Sequence, residues 1–126
     1  VKPAQAADRI LNAAALDELE QLDDQGRALN EIVAVFRHDA PERARELCEA
    51  AAAGDAAAAR HAAHSLKGTS GIVGATRVED LCRTLERAAI EGRPPDPVAA
   101  SAVSAALDQA LEALSAELAQ RNSRRS

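Results

Sequence analysis

Aromatic residues are almost missing from this chain. Phe36 is the single one in 126 residues, and Trp, Tyr and Met do not occur. Sandwiches and barrels fill their cores with aromatic and β-branched side chains, so that class is disfavoured. Alanine is abundant instead, with runs at 50–53 and 56–59, and it is the best helix former. Cysteine is scarce too. Cys48 and Cys82 each sit in an apolar helical stripe, which reads as small buried hydrophobes in a reducing compartment rather than a disulfide or metal site. CxxC, HExxH and a Gly-rich phosphate loop are absent, so neither a metal nor a cofactor is expected. No run approaches the roughly 20 apolar residues of a membrane span, and the start lacks the apolar segment of a signal peptide. No membrane contact by this segment is expected. The net charge of −5 argues against nucleic acid, whose readers normally carry a basic face.

The hydrophobic residues that remain are spaced for helices. Residues 1–15 have little pattern and read as linker or a frayed N-terminus. Leu16, Leu19 and Leu22 give a short first helix. A long stripe follows through Leu29, Ile32, Val33, Phe36, Ala40, Ala44, Leu47, Cys48 and Ala51, in steps of three and four. Its phase holds across Pro41, so it reads as one kinked helix, with two helices meeting at the proline as the alternative. Gly54-Asp55 is a stop and a cap, and a third helix runs from Asp55 to about Val73. Thr76 and Glu79 have capping-box spacing for a fourth helix with Val78, Leu81, Cys82, Leu85 and Ala88 inward. Asp96-Pro97 then opens the last helix, carrying Val103, Leu107, Leu111, Leu114 and Leu118, and residues 121–126 read as a flexible tail. Short connections predict an all-α antiparallel up-down-up-down four-helix bundle over 16–120, with a short additional N-terminal helix.

The third helix carries the chemistry. At 100° per residue Ala59, Ala62, Leu66, Thr69 and Val73 fall on one side, and Ala57, Arg60, His64, Lys67, Gly68 and Gly71 on the other. His64 should therefore face solvent with Lys67 one turn away. Gly68 and Gly71 each cost about 0.8–1 kcal/mol relative to alanine. On an exposed face, that cost leaves the imidazole open to a large partner. Lys67 and Arg60 could pair with a phosphoryl group, which adds roughly −2 charge. The same cations are expected to keep His64 neutral and nucleophilic.

His64-Ser65-Leu66-Lys67-Gly68, Gly74-Ala75, Leu81-Cys82 and Leu85-Glu86 resemble the pattern of histidine-containing phosphotransfer (HPt) domains. The likeness extends upstream through Phe36, Asp39-Ala40-Pro41-Glu42-Arg43 and Gly54-Asp55. The resemblance implies a four-helix bundle that relays a phosphoryl group between receiver-domain aspartates. The receiver supplies Mg²⁺ and most of the catalytic machinery. His64 would be the phosphoacceptor, with phosphate on Nε2, Lys67 a charge stabiliser and Gly68 the residue that keeps the site accessible. Such domains occur alone or at the C-terminus of hybrid sensor histidine kinases, which implies a cytoplasmic location, including the cytoplasmic end of a membrane-bound kinase. The expected partners are response-regulator receivers, with Arg60, Gly71, Phe36 and Arg37 as candidate docking residues.

Each residue also has a plainer reading. His61 and His64 could bind a metal together, but they lack a clear carboxylate companion on their face. His38 reads as a solvated side chain, Arg60 as a surface charge, Gly71 as a packing residue and Phe36 as core. No nucleotide-binding motif is present, so the chain should not phosphorylate itself from ATP and is not read as an enzyme. The alternatives to a relay are a non-catalytic receiver-binding module and a metal-binding bundle.

Overall fold

The computed structural model describes residues 10–125. Their helices are α1 (Ala13–Glu20), α2 (Arg27–Ala53), α3 (Ala56–Ile72), α4 (Thr76–Ile90) and α5 (Pro97–Arg125), and no strand occurs among the described residues. The breaks are where turn chemistry puts them. Gly54 closes α2 in a left-handed conformation, φ 68°, and the Asp55 carboxylate accepts from the Ala58 N–H at 3.0 Å. Asp96 likewise accepts from the Val98 N–H at 2.9 Å and starts α5. α2 runs unbroken through Pro41, as the unbroken phase of its stripe predicts.

Cross-helix contacts give the directions. Asn30, near the start of α2, meets Asn122 near the end of α5, whereas Cys48, near the end of α2, meets Ala100 near the start of α5. His64 of α3 meets Glu86 of α4, and the later Gly71 lies against the earlier Glu79. Ile32 shares a groove with Val73, and Arg43 another with His61. Each of these pairs runs antiparallel. α2 packs on α3, α3 on α4, α4 on α5 and α5 back on α2, so α3 and α5 sit diagonally across a four-helix bundle.

The core is built from Leu29, Leu47, Leu66, Leu114 and their neighbours, all fully buried. Each such leucine contributes about 1.5–3 kcal/mol. Ala59, Ala62 and Ala63 on the inner face of α3 let that helix lie close to its partners.

Several boundaries differ from the sequence expectation. α1 begins at Ala13, inside the stretch expected as linker, because the Asn12 side chain caps it by accepting from the Ala14 N–H at 3.0 Å. The Asn12 N–H also donates to the Gly74 carbonyl at 2.7 Å, which ties α1 to the α3–α4 turn. Gly74 is obligatory there: its φ is 72° and a Cβ would fall 2.6 Å from the Asn12 carbonyl oxygen. Residues 1–9 of the expected linker lie outside the described residues. Leu22, expected in the first helix, is 64% exposed, since α1 ends at Glu20. The capping box at Thr76 and Glu79 does not form. Ala75 is the N-cap of α4, and the Thr76 hydroxyl donates to the Gly74 carbonyl instead. Thr69, expected inward, is exposed, and Ser70 is buried in its place.

The largest difference is at the C-terminus. The stretch from 121, expected as a flexible tail, continues α5 to Arg125. Arg121 is 4% exposed. Its guanidinium donates to Asp17 at 2.8 Å and Glu20 at 2.7 Å on α1, and to Glu117 at 2.9 Å on its own helix. Arg125 adds a second pair with Glu20. Three carboxylates around one guanidinium anchor this last turn and fasten α1 to α5.

Candidate functional site

The middle of α3 places His64 on the surface with its side chain 70% exposed. One turn on, Lys67 lies at the edge of the helix facing α4, its side chain 27% exposed. Both reach the same group. Glu86 of α4 receives His64 Nδ1 on Oε2 at 2.5 Å and the Lys67 ammonium on Oε1 at 2.5 Å. Glu86 is only 8% exposed. The Lys67 ammonium holds its carboxyl below the usual glutamate range, against the opposing pull of burial and with added help from His64. Glu86 is therefore an anion, and a carboxylate can only accept. Nδ1 must then carry the proton, which leaves Nε2, on the far side of the ring, as the unprotonated nitrogen of the neutral imidazole. In the neutral ring one unprotonated nitrogen then stands opposite the held one, on a side chain that is 70% exposed.

The expected electrostatics change accordingly. Lys67 does not act on the ring as a free cation, because its charge is taken up by Glu86. Sequence reasoning gave Glu86 no role. Its signal was present as a charge in phase with Val78 and Cys82 on the buried stripe of α4. The same burial, aided by the Glu86 charge, pushes the Cys82 thiol up to about 12, so Cys82 is an inert core residue. Cys48 is half-buried, with its thiol donating to the Ala100 carbonyl at 3.6 Å.

The two glycines beside His64 differ. A Cβ on Gly68 would meet nothing within 4 Å, whereas one on Gly71 would fall 2.8 Å from the Glu79 carboxylate. Gly71 makes room for a side chain of its own protein, which supports the packing reading of this glycine. Gly68 has no such internal reason. Arg60 joins Ala57, His61, His64 and Glu86 around a shallow depression beside the imidazole, in keeping with its expected place.

The two α2 residues expected at this surface are not both there. Phe36 is 3% exposed and belongs to the core, because its position falls on the inner stripe of α2. Arg37 lies seven residues from Asn30, on the same side of α2, and Asn30 reaches Asn122 of α5. Arg37 thus flanks α5, away from α3. The part of α2 that borders the His64 helix is Glu31, Val35 and Asp39, which with Ile72 and Thr69 of α3 line a groove over Phe36. His38, with its side chain 89% exposed, pairs with its neighbour Asp39 at 2.9 Å. Among the described residues no group of three or more His, Cys, Asp or Glu is placed to hold a metal ion.

Comparison with known proteins agrees with this arrangement. The Hpt domain family model matches residues 31–117, which span α2 to most of α5. The crystal structure of histidine-containing phosphotransfer protein B (HptB) from Pseudomonas aeruginosa PAO1 is similar, with a TM-score of 0.70 and 30% sequence identity over 91% of this chain and 96% of that one. No match emerges among curated proteins.

Proposed function

The chain belongs to the Hpt domain family, and on that premise we propose that it is a phosphorelay intermediate whose carrier is His64 Nε2. The observation that carries this reading is the exposed imidazole of His64, held through Nδ1 by a buried carboxylate beside a glycine that nothing in the fold requires. In the forward step Nε2 attacks the phosphorus of a receiver's aspartyl phosphate. The P–O bond to the aspartate breaks, the aspartate leaves as a carboxylate, and the N–P bond forms. Positive charge grows on the ring as that bond forms. Glu86, already accepting from Nδ1–H, stabilises it as a carboxylate stabilises the imidazolium of a catalytic triad. Transfer to a second receiver is the reverse of this step.

Lys67 has a flexible stem with three rotatable donors. From Glu86 it is one helical turn from His64, within reach of phosphoryl oxygens once they arrive. Gly68 lets the partner's backbone come close. The receiver domain brings the Mg²⁺, and the relay works in the cytoplasm, free-standing or as part of a sensor kinase. No helix among the described residues is long and apolar enough to cross a membrane.

The experiment is label transfer from phosphorylated receiver domains of the same genome, in Mg²⁺, to the native chain and to His64→Gln. The expected result is acid-labile, base-stable label on the native chain and none on the variant. Thermal melts of both proteins establish that the variant is folded, so loss of fold will not explain loss of label. Transfer that survives His64→Gln contradicts the assignment. A receiver that binds tightly but never transfers favours a non-catalytic receiver-binding module.

A further inference from the structure

Two cations of α3 stand one turn from His64, and their situations differ. Lys67, on the C-terminal side, is committed: its ammonium lies 2.5 Å from Glu86 Oε1. Arg60, one turn before His64 and about 6 Å along the helix, is exposed. It makes no ion pair or side-chain hydrogen bond with any described residue.

A helical side chain covers the turn that precedes its own Cα. The depression beside the imidazole, about 270 Å³ in volume, lies on that side of His64. Its other α3 residues, Ala57, Arg60 and His61, all precede His64, and Lys67 is not among them. Ala57 is small and leaves the depression open. The carboxylate at its edge, Glu86, already has one oxygen on Nδ1 and the other on Lys67. Nε2 is the ring nitrogen turned away from Glu86, and so away from the ammonium that Glu86 holds. Neighbouring helices supply no equivalent cation. On α4, Arg83 pairs with Glu79 and Asp80, and Arg93 with Glu91. Arg87 falls about 100° around α4 from Glu86, on its outer side. On α2, Arg43 pairs with Glu46, in the groove beyond His61.

Resting on the relay reading above, we propose that Arg60 is the residue that holds the phosphoryl group on His64. Its planar fork takes two phosphoryl oxygens in the depression, while Lys67 stays on Glu86. The phosphoryl group brings roughly −2 charge, and Arg60 meets it without giving up another partner. Lys67 reaches it only by leaving a buried carboxylate short of a cation, which is unfavourable. The two cations thus divide the work. Lys67 holds the carboxylate that sets the ring, and Arg60 receives the charge that arrives on the ring.

The test uses the full chain and phosphoramidate, a small donor that needs no receiver, so docking does not enter. The P–N bond of the donor breaks, ammonia leaves, and the bond from Nε2 to phosphorus forms. Arg60→Gln, Arg60→Lys and Arg77→Gln are compared with the native chain. The last removes the same charge at an exposed position of α4. Thermal melts establish that each variant is folded. Loss of a charge-assisted hydrogen bond should slow labelling of Arg60→Gln about tenfold, with partial recovery in Arg60→Lys and the native rate in Arg77→Gln. Nitrogen NMR of unphosphorylated Arg60→Gln should still place the ring proton on Nδ1, which separates a lost phosphoryl contact from a disturbed ring. In the native chain the Arg60 guanidinium signal should shift on phosphorylation. A guanidinium signal that stays in place, or Arg60→Gln labelled at the native rate, overturns the assignment while leaving the relay intact. Equal slowing in Arg77→Gln also overturns it, in favour of a general effect of net charge. Failure of phosphoramidate and of every receiver to label His64 removes the relay reading, and the role of Arg60 with it.

Discussion

Two ionic clusters join helices among the described residues of this bundle, and they are built in opposite senses. At Arg121 a single buried cation gathers Asp17, Glu20 and Glu117, and the three ion pairs that hold it all end on the protein itself. At Glu86 a single buried anion gathers His64 and Lys67, and the exposed imidazole keeps one nitrogen turned to solvent. The first closes a seam between α1 and α5. The second holds a reactive group still while leaving it unspent. The difference shows that burial of a charge does not distinguish a fastening from a site; what distinguishes them is whether the group that the charge orients has capacity left over for a partner.

The sharpest way to break this comparison is to remove each centre in turn. Arg121→Met should cost roughly 2–3 kcal/mol in urea denaturation, since it leaves carboxylates facing one another. Phosphotransfer should be unchanged where the protein is folded. A transfer defect in folded Arg121→Met would mean that the two clusters are not independent. Glu86→Gln should act chiefly on transfer. Losing a charge-assisted hydrogen bond of about 1.5 kcal/mol from the orientation of His64 should slow transfer about tenfold. Nitrogen NMR of the ring should show Nε2–H gaining population at the expense of Nδ1–H, which a purely structural role would not move.

The same carboxyl gives a pH dependence of known sign. Its folded value lies below the ordinary 4.5. The stability it contributes is therefore present above pH 4.5 and lost as pH falls through the depressed value. The native chain should lose more stability below pH 4.5 than Glu86→Gln does. Equal acid sensitivity of the two would show that Glu86 is not held by Lys67 as described.

Much of the bundle was legible because its signals are local. Helical stripes, Gly54-Asp55 and Asp96-Pro97 are read from residues a few positions apart, and the exposed side of α3 follows from the apolar side opposite it. What escaped depended on distant packing. Glu86 is 22 residues from His64, and its meeting with the ring depends on the stagger of α4 against α3. The docking residues assigned to α2 missed because the rotation of that helix, which turns Val35 and Asp39 rather than Arg37 toward α3, depends on packing against its neighbours. Arg121 read as a tail charge, yet it lies seven residues after Leu114 and four after Glu117, in phase with the inner stripe of α5. A charge in register with a hydrophobic stripe marked both clusters.

The smallest substitutions separate the two glycines. Gly71→Ala displaces the end of the flexible Glu79 side chain, so any gain in stability should stay under about 1 kcal/mol, with transfer near the native rate. Gly68→Ala is the direct test of the claim that the His64 face is kept open for a partner. Melting curves and receiver-to-His64 transfer rates should be measured on the same preparation. The account predicts a more stable protein, by up to about 1 kcal/mol, that transfers more slowly. A variant as fast as the native chain, or one slowed only because it is less stable, would contradict it.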